Sequence, residues 1–72
     1  MDSDEKAKLR TLLDYWIAHN NEHSREFREW ASRAKEFGEA GAGEDMLKAA
    51  KEMDKASETL SQALTRLGGR EG

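Results

Sequence analysis

Apolar residues recur along the first half of the chain in alternating steps of four and three. Leu9, Leu13, Trp16, Asn20, His23, Phe27, Trp30, Ala34 and Phe37 form one unbroken heptad seam. Two polar residues, Asn20 and His23, hold successive places in it. In the second half, Met46, Ala50, Met53, Ser57, Leu60, Leu64 and Leu67 repeat the alternation. Between the two patterns lies Gly38-Glu39-Ala40-Gly41-Ala42-Gly43, where three glycines break a helix and permit positive φ. The pattern predicts a helix over 4–37, a glycine-rich loop over 38–43, a helix over 44–67 and a frayed tail over 68–72, all in one helical domain. Asp2 and Glu5 offer a capping box at the start, and Lys35 with Gly38 suits the end of the first helix.

Matched seams joined by a short loop read as an all-α antiparallel hairpin. Its expected register places Phe37 near Met46, Trp30 near Met53, His23 near Leu60 and Ser57, and Trp16 near Leu67. In that reading both Trp and both Phe residues are core, and Met fills the gaps beside the rings. The first helix would span about 50 Å and the second about 36 Å. The turns carrying Leu9, Leu12 and Leu13 would then overhang the second helix, and exposed leucines need cover. Two hairpins could associate into a four-helix bundle dimer, with Leu9, Leu12, Leu13, Trp16 and Asn20 at the interface. Alternatively, a break near Asn20-Asn21 would fold the chain into a three-helix bundle, since Asn is a fair cap and a poor helix former. The seam keeps its phase through both Asn residues, which favours a continuous helix. Ile17, Ala31 and Leu12 widen the apolar stripe beyond a two-stranded seam.

Composition narrows the class. The chain has 72 residues, no Cys and no Pro, so neither a disulfide framework nor a thiolate metal site is available. A single core of this size is marginal and usually needs a staple, a metal or a partner. Charged residues make up 38% and the net charge is −3 with the signs interspersed, so there is no basic stripe for a nucleic-acid backbone. No apolar run reaches the length of a membrane span, and none has the form of a signal peptide. The expectation is a soluble cytoplasmic protein whose partner is a second copy or another helical protein, with neither nucleic acid nor membrane involved.

The candidate chemistry is confined to one stretch, Ile17-Ala18-His19-Asn20-Asn21-Glu22-His23. A polar layer in an apolar seam commonly sets register or oligomer state. In that first reading His23 bonds Ser57 or Ser61, Asn20 pairs with Asn20 of a second copy, and no cofactor is bound. The second reading is a metal site. His19 and His23 stand one turn apart and can point at one ion such as Zn, Ni, Co or Cu, with Glu26 or Glu22 supplying an oxygen and Glu58 or Gln62 completing or orienting the set. The spacing lacks the Glu directly after the first His that a zincin needs, because Asn20 stands there. A third use of the same residues, pH-dependent assembly, ranks below both. Enzyme chemistry is not expected, since the serines lie on helices rather than on a strained nucleophile turn. The acids around the glycine loop would repel an anion at the second helix N-terminus.

The run Tyr15-Trp16-Ile17-Ala18-His19-Asn20-Asn21-Glu22-His23, with Phe27-Arg28-Glu29-Trp30-Ala31 after it, resembles a group of short, uncharacterised helical proteins of bacteria and archaea. Their shared run is roughly H-W-I-x-H-N-x-E-H. The resemblance extends over most of the chain and implies a helical hairpin without an assigned function. Tyr15 stands where that pattern carries its first His, which removes one ligand from any three-His site.

Overall fold

A computed structural model describes residues 2–68, with side chains from residue 4 to residue 68. Two helices, α1 (Asp2–Glu36) and α2 (Ala40–Arg66), pack antiparallel along their lengths. Among the described residues there is no strand. α1 runs unbroken through Asn20 and Asn21, so the three-helix alternative does not occur. The capping role expected of Asp2 and the tail from residue 69 to residue 72 lie outside what is described.

The connection is shorter than the glycine content predicts. α1 ends in a Schellman turn. Gly38 adopts φ 94°, its N–H donates to the Lys35 carbonyl at 3.2 Å, and Glu39 N–H donates to the Ala34 carbonyl at 2.7 Å. α2 then starts at Ala40 rather than Glu44, with Glu39 as the first acceptor for Gly43 N–H at 3.0 Å. Only Gly38 needs its glycine for the turn. Gly41 and Gly43 lie inside the helix, where tertiary packing outweighs their poor propensity. At the other end Gly68, at φ 104°, closes α2 with its N–H on the Thr65 carbonyl at 3.1 Å, so it belongs to a defined turn rather than to the frayed tail.

The early start of α2 changes the register. Ser24 lies level with Ala50 and Asp54, Gly43 lies against Ala31, and Arg10 reaches the Leu67 carbonyl at 2.9 Å. The expected layers Phe37–Met46, Trp30–Met53 and Trp16–Leu67 are therefore replaced. Leu13 does not overhang. With Ile17 and Leu64 it forms the apolar core, flanked by Leu60, Ala63 and Leu67.

The seam is also rotated by one residue. The side of α1 that faces α2 carries Leu13, Ile17, Asn20, Ser24, Phe27, Ala31 and Ala34, of which all but half-buried Asn20 and Phe27 are buried. The matching buried positions of α2 are Gly43, Ala50, Ser57 and Leu64, spaced one heptad apart. These are mostly small residues, and small residues let two backbones approach closely. The large ones fall outside. Trp16 is 40% exposed, Trp30 52% and Phe37 65%, so the expectation that both Trp residues and Phe37 are core is overturned.

The result is a slab 54 × 20 × 14 Å, one helix thick. Its radius of gyration is 16.0 Å, against about 11 Å for a compact domain of this length.

Candidate functional site

The two flanks of the hairpin differ in chemistry. One is a polar clasp. Ser24 Oγ donates to Asp54 Oδ1 at 2.6 Å and Arg28 Nη2 to Asp54 Oδ2 at 2.5 Å, while Lys35 Nζ pairs with Glu44 at 3.2 Å and Arg10 caps the end of α2. The Ser24 hydroxyl, then the Arg28 guanidinium, stabilise the charged form of Asp54 and hold its carboxyl below the usual value. Sequence reasoning missed this clasp, because the acids and bases of an exposed helix carry no signal of which pairs will meet.

The other flank is apolar. Along α1 it presents Leu9, Trp16, His23, Trp30 and Phe37, one every seven residues, with Leu12 and Tyr15 beyond them. Along α2 the heptad Met46, Met53, Leu60 and Leu67 lies on the side away from Asp54, all half-buried. Leu9, Leu12 and Trp16 thus stand on or beside this exposed apolar stripe. Leu13 does not: it is buried within the chain. Asn20 is half-buried in the seam between the helices rather than on the outer stripe.

His23 holds the middle of that apolar stripe, and the structure brings His19 to it. The two Nε2 atoms are 2.9 Å apart, with the ring planes at 81°. His23 is not bonded to Ser57 or Ser61. Its Nδ1 instead faces Glu26 Oε1 at 3.6 Å, and Ser57 Oγ is left buried without a partner. Tyr15 stacks on His19 with centroids 5.6 Å apart, and Phe27 lies 5.9 Å from His23. Tyr15, His19, His23 and Phe27 thus form a ladder of rings at i, i+4 spacing that winds from the outer face of α1 toward α2.

Glu26 approaches the nitrogen of His23 opposite to the one that meets His19. It is therefore placed to orient that ring rather than to share an ion with both Nε2 atoms. Among the described residues no group of three or more His, Cys, Asp or Glu side chains is assembled that could hold a metal ion. The His19–His23–Glu26 set expected from sequence is thus present as two convergent nitrogens plus a carboxylate on the far side of one ring. Among the described residues no helix is long and apolar enough to cross a membrane.

The model of one family, a domain of unknown function designated DUF8180, matches residues 9–67. The chain belongs to this family. The match spans the hairpin from the first exposed leucine to the end of α2, so it includes the apolar flank, the His pair and the clasp. It agrees with the expectation of a family without an assigned function. No curated protein and no solved structure matches the chain.

Proposed function

We propose that this hairpin is a non-enzymatic assembly module whose apolar flank docks a second copy of the same chain to form a four-helix bundle. The observation that carries the proposal is the size of the uncovered surface and the symmetry of the apolar stripe on it. The chain exposes 5528 Å², whereas a compact monomer of 8.1 kDa exposes about 4,500 Å². The excess, about 1,000 Å², is close to the roughly 800 Å² that each partner contributes to a standard interface.

The stripe is also palindromic in size. Leu9, Trp16, His23, Trp30 and Phe37 are evenly spaced about His23. A two-fold axis across His23 sets α1 antiparallel to its copy. It then places Trp16 against Trp30 of the second copy and Leu9 against Phe37 of the second copy. Each contact occurs twice, as an isologous interface requires. Met53 lies at the height of His23, because Ser24 is level with Ala50 and Asp54. The α2 heptad is therefore centred on the same axis, with Met46 and Leu60 one heptad to either side.

Sedimentation equilibrium tests this reading. The parent chain should run as a dimer with a thermal midpoint that rises with protein concentration. Trp30→Glu should run as a monomer that keeps its helicity. A monomeric parent at millimolar concentration sinks the proposal. A second reading, a transition-metal-binding accessory protein, is favoured by one observation, the 2.9 Å convergence of the two imidazole Nε2 atoms.

A further inference from the structure

We infer that His19 and His23 are half of a transition-metal site, completed by the same two residues of the second copy, so that one ion sits on the two-fold axis held by four imidazoles. The inference rests on the docking mode proposed above.

The half-site is built for an ion. Two nitrogens 2.9 Å apart subtend about 90° at an ion about 2.0–2.1 Å from each. That is the angle of neighbouring ligands in tetragonal and octahedral coordination, and a separation of about 3.3 Å would give the tetrahedral angle. Binding needs both Nε2 atoms unprotonated, hence both rings protonated at Nδ1. The Glu26 carboxylate beside Nδ1 of His23 favours that tautomer there, so His23 Nε2 accepts from His19 Nε2–H across 2.9 Å, and an ion would displace that one proton. Tyr15 stacked on His19 and Phe27 tilted beside His23 flank the two rings.

The half-site is incomplete in one chain, because Glu26 lies on the wrong side of its ring and no third ligand is assembled among the described residues. The position of His23 supplies what is missing. It is the one polar residue in the α1 stripe and it stands at the centre, where the axis brings it against its own copy. The axis brings the two His19–His23 pairs face to face, and a shared ion would replace their two N–H···N bonds with four nitrogen–ion bonds. Imidazole ligands without thiolate select Zn²⁺, Ni²⁺, Co²⁺ or Cu²⁺ rather than Mg²⁺ or Ca²⁺.

The test is a titration of the full chain with Zn²⁺, Ni²⁺ and Co²⁺ at neutral pH. Calorimetry, imidazole NMR and sedimentation are read on the same samples. The expected result is saturation at one ion per two chains, with the His19 and His23 ring signals shifted and the dimer mass unchanged. Co²⁺ should show d–d bands of a nitrogen-ligated ion. His23→Ala should abolish binding, and Glu26→Gln should weaken it about tenfold, while both variants still dimerise without metal. Saturation at one ion per chain overturns the shared site. A metal-free dimer that binds no ion also overturns it, and leaves the assembly reading intact. A chain that is monomeric with and without metal overturns both.

Discussion

A methyl group on Cα of Gly43 would lie 2.9 Å from the carbonyl oxygen of Ala31 and 3.0 Å from Cγ of Lys35. The lysine stem can swing away, but the carbonyl belongs to the α1 backbone and moves only if the helices separate. Gly43 is thus a point of close approach in a seam that Ala31, Ala34, Ala50 and Ser57 line with small side chains. Gly43→Ala sets two effects against each other. Alanine is favoured over glycine in a helix by about 1 kcal/mol. Overpacking against a fixed backbone costs about 1–3 kcal/mol. The clash should win, and chemical denaturation should show a net loss of about 1 kcal/mol. A stabilised variant would mean that the helices are further apart. Gly41, whose Cβ would meet nothing within 4 Å, is the control, and Gly41→Ala should gain stability.

Two heptads overlap in the first half of the chain, and they explain what the sequence did and did not reveal. Both contain Leu13, Asn20, Phe27 and Ala34. One adds Leu9, Trp16, His23, Trp30 and Phe37; the other adds Arg10, Ile17, Ser24 and Ala31. Hydrophobicity selects the first, and the fold uses the second. Closely packed helices favour small side chains at their contact, whereas large rings gather more area across a wider gap. The hairpin itself was legible because the two periodic segments and the Gly38 stop are local features. The register was not, because Gly41 and Gly43 read as loop residues until the proximity of Ala31 explains them. The repeat Gly43, Ala50, Ser57, Leu64 is the signal that could have found the true seam. The pairing of His19 with His23 was visible from spacing alone. The side of His23 that Glu26 would face was not, since it depends on rotamers.

Ser57 is buried against α1 with its hydroxyl oxygen unpaired. A hydroxyl stripped of water without a partner destabilises by about 1–3 kcal/mol. Alanine has nearly the same volume and a better helix propensity. Ser57→Ala should therefore raise stability by about 1 kcal/mol or more, read as a higher denaturation midpoint at unchanged slope. A loss would show that Oγ has a partner in solution, such as a trapped water.

Asp54 links the helices through Ser24 and Arg28, and both lower its carboxyl pKa. A carboxylate whose pKa falls on folding contributes stability above its unfolded value. That stability disappears as pH falls through the folded value. The contribution should thus be complete above the ordinary value of 3.8 and fade at lower pH. Asp54→Asn should be less stable than the parent at neutral pH, with the difference shrinking under acid. A difference that stays constant down to pH 2 would place the effect of the substitution in packing rather than in charge.

The symmetry of the outer stripe gives the most direct test of how two hairpins meet. The chain has no Cys, so introduced thiols report without interference. An axis across His23 places that residue opposite its own copy, and two imidazoles that share an ion hold the backbones further apart than a disulfide spans, so a short bifunctional thiol reagent is the probe. His23→Cys should therefore cross-link to a covalent dimer with that reagent. Trp16→Cys alone should not, because its counterpart in the second copy lies two heptads away, about 21 Å along the helix. Mixed with Trp30→Cys, it should give heterodimers, since these two positions face each other across the axis. A parallel arrangement reverses the pattern, with Trp16→Cys linking to itself and the mixture gaining nothing. The experiment therefore decides whether His23 meets His23 before any metal is added.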